Sequence, residues 1–79
     1  MSYDLSQAAR VALAAMRGTE PEYTEHRNGV TWGIIDLAAA FPNTGATRRS
    51  LPGLLSALTR AGVYRQIDGF AWGKVALTA

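Results

Sequence analysis

The apolar positions fall into stretches with two different periods. In residues 4–17, Leu5, Ala8, Ala12, Ala15 and Met16 share one helical stripe, with Val11 beside it and Leu13 on another side. That spacing predicts a helix. Asp4 is a capping residue with Gln7 at capping-box distance, and Tyr3 can staple onto Ala8. Gly18 is placed for a left-handed cap, and Arg17 occupies the last turn, where a cation is favoured. Residues 19–32 promise little burial. Glu20-Pro21-Glu22 reads as a turn and Tyr23 to Arg27 as a weak strand. Asn28-Gly29 is then a tight turn before Val30-Thr31-Trp32. This segment is either a small hairpin or a loop feeding one short strand into a sheet.

Residues 33–41 predict a short helix with Ile34, Ile35, Leu37, Ala38 and Phe41 on its apolar side and Thr31 as its cap. Pro42 stops it, and Asn43-Thr44-Gly45 makes a compact turn. A third helix starts between Thr44 and Thr47 and runs to Ala61, with Leu51, Leu54, Leu55 and Leu58 at helical spacing and Gly62 at its end. Pro52 leaves two readings open. Either the helix proper starts at Ser50, with Arg48 and Arg49 in a preceding turn, or it starts earlier and kinks. The last 17 residues change period. Val63, Arg65 and Ile67 alternate with Tyr64 and Gln66, Asp68-Gly69 is a hairpin turn, and Phe70-Ala71-Trp72 opens a return strand ending at Val75-Ala76-Leu77. Gly73 separates two phases of that alternation, the position of a bulge or of a change of buried face.

Composition narrows the class. The chain has 79 residues with 48% of them hydrophobic, but fourteen of those are alanine, so large apolar side chains are scarce. That suits one small domain with a thin core. There is no cysteine and one histidine, which excludes a disulfide framework and any cysteine-based or multi-histidine zinc site. His26 reads as a solvent residue, Asp36 has no carboxylate mate, and no glycine-rich phosphate loop is present. The residues therefore point away from an enzyme and to no cofactor. No apolar run is long enough to span a bilayer, and Met1-Ser2-Tyr3-Asp4 opens no secretory signal, so a cytoplasmic protein is expected.

The net charge of +2 divides unevenly. Residues 1–40 sum to −2 and residues 41–79 to +4, so a polyanion is drawn to the second half. Arg48 and Arg49 lie at a helix amino end, where free backbone N–H groups also attract an anion. They make either a groove contact or a solubilising turn. Thr47 and Ser50 can donate to phosphates or cap the helix. Arg65 and Lys74 on the hairpin can each meet a backbone phosphate, whereas Arg60 suits a helix carboxyl end. Trp32 and Trp72 read as core staples or as a partner surface.

Leu51, Leu54 or Leu55, Leu58, Gly62 and then Val63 to Ile67 resemble the third helix and wing of the winged helix-turn-helix superfamily. The resemblance covers nearly the whole chain, mainly residues 33–77. It implies a mainly α fold of three helices with a small β-hairpin, and binding to double-stranded DNA. Carried over, the reading residues are Thr44, Thr47, Arg48, Arg49 and Ser50, with Arg65 and Lys74 on the wing and Gln66, Asp68, Gly69 and Phe70 at its tip. The expected role is transcriptional regulation or DNA architecture in a phage, plasmid or bacterial genome, helped by a homodimer or second protein. The sequence departs from richer members in its short wing, in Asp68 at the tip and in Pro52-Gly53 inside the reading helix. The alternative is a winged-helix module that binds protein, as an adaptor or an inhibitor of a host factor, through Glu20 to Glu25 and an exposed tryptophan.

Overall fold

The computed structural model describes residues 5–67 and 72–78. The first helix, α1 (Gln7–Arg17), is capped by Ser6, whose hydroxyl accepts from the Ala9 N–H at 3.1 Å. The expected cap Asp4 lies outside the described residues. The buried stripe is Ala9, Ala12, Leu13 and Met16, which rotates the expected face. Turning Leu13 and Met16 inward buries more than Val11 can, and Val11 is left 45% exposed. Gly18 stays right-handed at φ −76°, contrary to expectation, because its N–H closes directly onto the Ala14 carbonyl at 2.9 Å.

Asn28 (φ 52°) and Gly29 (φ 78°) are both left-handed, as a two-residue hairpin turn requires, and they join β1 (Tyr23–Arg27) to β2 (Val30–Asp36). β2 corrects the reading of residues 33–41 as helix. Ile34 and Ile35 are both fully buried although they point to opposite faces of the strand, and two adjacent buried positions are a pattern a helix stripe also produces. Gly33 serves the strand, since a Cβ there would lie 3.2 Å from the Pro21 ring. Helix α2 is only Leu37–Ala40. Its cap is Asp36, which accepts from the Ala38 N–H at 3.1 Å, and not Thr31. A 3-10 turn, Phe41–Asn43, follows and accommodates Pro42 near its start.

Helix α3 (Leu51–Arg60) buries Leu51, Leu55 and Leu58, and Pro52 falls harmlessly in its first turn. Of the two readings of Pro52, the first holds: Ser50 is the cap and Arg48 and Arg49 sit in the preceding turn. Gly62 (φ 78°) ends it. The Gly62 N–H bonds the Thr59 carbonyl at 3.0 Å and the Val63 N–H the Leu58 carbonyl at 3.3 Å, the paired bonds of a Schellman cap. β3 (Tyr64–Gln66) and β4 (Lys74–Thr78) then pair antiparallel. The expected hairpin tip, Asp68 to Ala71, lies outside the described residues. The described return strand begins at Lys74; Trp72 lies in a turn before it, Phe70 and Ala71 lie outside the described residues, and the Gly73 carbonyl accepts from the Leu37 N–H at 3.2 Å.

The four strands form one open antiparallel sheet in the order β1-β2-β4-β3. This corrects the expectation of a mainly α fold. Three helices lie with a four-stranded sheet in a mixed α/β arrangement, because residues 33–36 extend β2 into full pairing with β4. The helices cover one face, where Leu13, Met16, Ile35, Leu37, Leu58 and Val75 build the core. No helix among the described residues is long and apolar enough to cross a membrane.

Candidate functional site

The turn ahead of α3 is rigid for a local reason. The Thr47 N–H donates to the Ser50 hydroxyl at 2.9 Å, and the Ser50 N–H donates to the Thr47 hydroxyl at 3.1 Å. This reciprocal pair has capping-box spacing. The Leu51 N–H also bonds the Thr47 carbonyl at 2.9 Å, so the turn runs into the helix without a break. Thr47 and Ser50 are thus structural as well as exposed, and they hold Arg48 and Arg49 between them.

The two arginines differ. The Arg48 guanidinium lies 5.0 Å over the ring of half-buried Trp72, which in turn meets Phe41 edge-to-face at 4.8 Å. Aromatic faces attract guanidinium groups, so Arg48 is exposed yet held. Arg49 is exposed and has no ion-pair or hydrogen-bond partner among the described residues. Both precede an outward helix face of Pro52, Gly53, Ser56, Thr59 and Arg60, all exposed. Residues 37–67 contain Arg48, Arg49, Arg60 and Arg65 and no acid at all.

Thr44 does not belong to this surface. It is 2% exposed, its hydroxyl donating to the Phe41 carbonyl at 2.8 Å and accepting from the Ala46 N–H at 3.2 Å. Its place is to brace the turn between α2 and α3. The charged groups of Arg65 and Lys74 do not join those of Arg48 and Arg49 either, although Arg65 also borders the groove that Arg48 lines. Tyr64 and Val75 point into the core, so their strand neighbours Arg65 and Lys74 point to the opposite face of the sheet. There Arg65 pairs with Glu25 at 2.6 Å and lies 5.1 Å over Trp32, and Lys74 pairs with Glu22. The structure therefore separates the residues named from the sequence into a helix-end group and a sheet-face group.

A groove of about 590 Å³ runs along α3 beside β3, the free edge of the sheet. Arg48, Leu51, Leu55, Arg60, Tyr64 and Trp72 line it. Arg60 enters here, although its spacing in the sequence favours a helix-end role over a contact. Tyr64 is 3% exposed, and its buried hydroxyl makes no well-aligned hydrogen bond among the described residues. Burial raises the phenol above its usual value of 10.0, an effect partly offset by the neighbouring Gln66 side chain. No sequence signal separates Tyr64 from an ordinary core tyrosine, and Arg48 and Trp72 are too far apart in the chain for spacing to pair them.

No family model matches the chain, and no curated protein and no solved structure matches it.

Proposed function

We propose that this domain binds double-stranded DNA through the amino end of α3, as a winged helix-turn-helix protein does. The observation that supports it is the presentation of Arg48 and Arg49 side by side on a rigidly capped turn. They stand at the head of a helix whose outward residues, Pro52, Gly53 and Ser56, are small enough to let the backbone approach a groove floor. Arg48, anchored on Trp72, suits a fixed contact; Arg49, unanchored, suits a phosphate or a guanine edge. The β3–β4 hairpin takes the wing's place beside the helix. A module of this size buries ~600–1,000 Å² on DNA, so useful specificity calls for a second copy or a second protein. The role that follows is transcriptional regulation or local DNA architecture.

A protein-binding role would draw on Glu20 to Glu25 and an exposed tryptophan. Glu22 and Glu25 are engaged in ion pairs, and each tryptophan is half-buried with a guanidinium over it, so the DNA reading has the better support. The test is a titration into random-sequence duplex at two salt concentrations. Micromolar binding that weakens steeply with salt, and disappears in the double variant Arg48→Ala, Arg49→Ala, supports the reading. Absence of binding at ~20 mM salt, where the phosphate term is strongest, overturns it.

A further inference from the structure

The groove beside α3 has a chemistry of its own. Its walls, Leu51, Leu55 and the half-buried Trp72, are apolar, and Arg48 and Arg60 stand near opposite ends of the same helix. Arg48 lies in the turn ahead of the helix and Arg60 at its last residue, twelve positions on, so they flank the groove from its two ends. The buried wall also holds the Tyr64 hydroxyl, which makes no well-aligned hydrogen bond among the described residues, with the Gln66 side chain beside it. A buried hydroxyl without a partner is costly, and native interiors seldom leave one. A groove of this volume with apolar walls and a few polar groups along it has the make-up of a small-molecule site. Two positive groups and an unmatched donor select an anion, and the apolar walls require that the anion have a hydrophobic body.

We propose that the groove between α3 and β3 binds a small amphipathic carboxylate, its acid group accepting from the Tyr64 hydroxyl in the field of Arg48 and Arg60 and its apolar body lying against Leu51, Leu55 and Trp72. The proposal does not rest on DNA binding, but it shares Arg48 and Trp72 with the surface proposed for DNA, so a bound carboxylate and a duplex would compete there. Gln66, exposed beside Tyr64, has to turn aside as the ligand enters.

The test titrates the full isotope-labelled chain with naphthoate and with decanoate, using neutral naphthamide as the control, and follows backbone and indole resonances. The expected result is saturable shifts at millimolar ligand, centred on Leu55, Ser56, Thr59, Tyr64 and the Trp72 indole. Naphthamide binds about tenfold more weakly, as loss of a charge-assisted hydrogen bond implies. Tyr64→Phe, which keeps the ring and the fold, weakens the carboxylates by about tenfold, and Arg60→Ala weakens them too. The proposal is overturned by the absence of saturable shifts at these residues. It is equally overturned by equal affinity for acid and amide, or by unchanged affinity in Tyr64→Phe.

Discussion

The guanidinium of Arg65 meets the carboxylate of Glu25 at 2.6 Å, so a residue of one outer strand is tied to a residue of the other, across the face of the sheet that the helices leave open. The two side chains keep 27% and 38% of their exposure, so water screens the pair. Glu25→Gln is expected to cost less than ~1 kcal/mol, read as a shifted denaturant midpoint with unchanged slope, and the difference should shrink in high salt. Arg65→Ala should cost more, because it also uncovers the Trp32 ring. Equal losses in the two variants would show that the ring contact contributes nothing.

Tyr64 gives the domain an alkaline limit. Its phenol titrates above 10.0 when folded, so the unfolded chain releases that proton first as pH rises. The contribution is complete below pH 10 and is lost as pH climbs through the folded value. Wild type should therefore lose stability in that range by an amount that Tyr64→Phe abolishes. At neutral pH the same variant should be neutral or slightly stabilising, since it removes an unmatched hydroxyl. A clear loss at neutral pH would mean that Gln66 satisfies the phenol in solution.

Gly62 sits at φ 78° with no atom within 4 Å of where a side chain would begin. Gly62→Ala is therefore a purely conformational change. About 1 kcal/mol of destabilisation is expected, measured by thermal or urea unfolding, with α3 otherwise intact.

Leu58 is fully buried in the core between α3 and the sheet. Truncation to alanine should cost roughly 2–5 kcal/mol. A domain of 79 residues holds only about 4–12 kcal/mol in total. Leu58→Ala should thus forfeit a large share of the total stability, read as a strongly lowered urea or thermal midpoint.

The two arginines of the α3 turn should separate by stability and not by affinity alone. Each alanine variant is expected to lower the slope of log affinity against log salt by ~0.9 if the arginine meets a phosphate. Arg48→Ala should also reduce stability by ~0.5–1 kcal/mol through loss of the Trp72 contact, while Arg49→Ala should leave unfolding unchanged.

Local signals were the readable ones. Asn28-Gly29 and Gly62 announce their turns because the demand for positive φ is met by the residue itself. The misplaced elements share one cause. Ile34-Ile35 is a short apolar run whose period is ambiguous, and only its pairing with β4, some forty residues on, makes it a strand. Alanines sit on every side of α1 and leave its buried face ambiguous in the sequence, so the positions of Leu13 and Met16 decide its orientation. For the candidate site, the adjacency of Arg48 and Arg49 is plain in the sequence. That Arg65 and Lys74 leave that surface follows from strand parity against Tyr64 and Val75, but their partners Glu25 and Glu22 depend on the order of strands. Thr44 carries no mark that distinguishes a buried brace from an exposed donor.

The place of β4 in the sheet has a consequence in time. Lys74–Thr78 comes last in the described chain yet lies inside the sheet, with β2 on one side and β3 on the other. Its end is also clasped by α1, where Arg17 bonds the Thr78 carbonyl and hydroxyl at 3.2 and 3.0 Å. Until these five residues arrive, β2 and β3 have no neighbour to share and the core lacks Val75 and Leu77. Sheet closure therefore needs long-range pairing with the last described strand, so residues up to 78 must have left the ribosome before β2 and β3 can be joined.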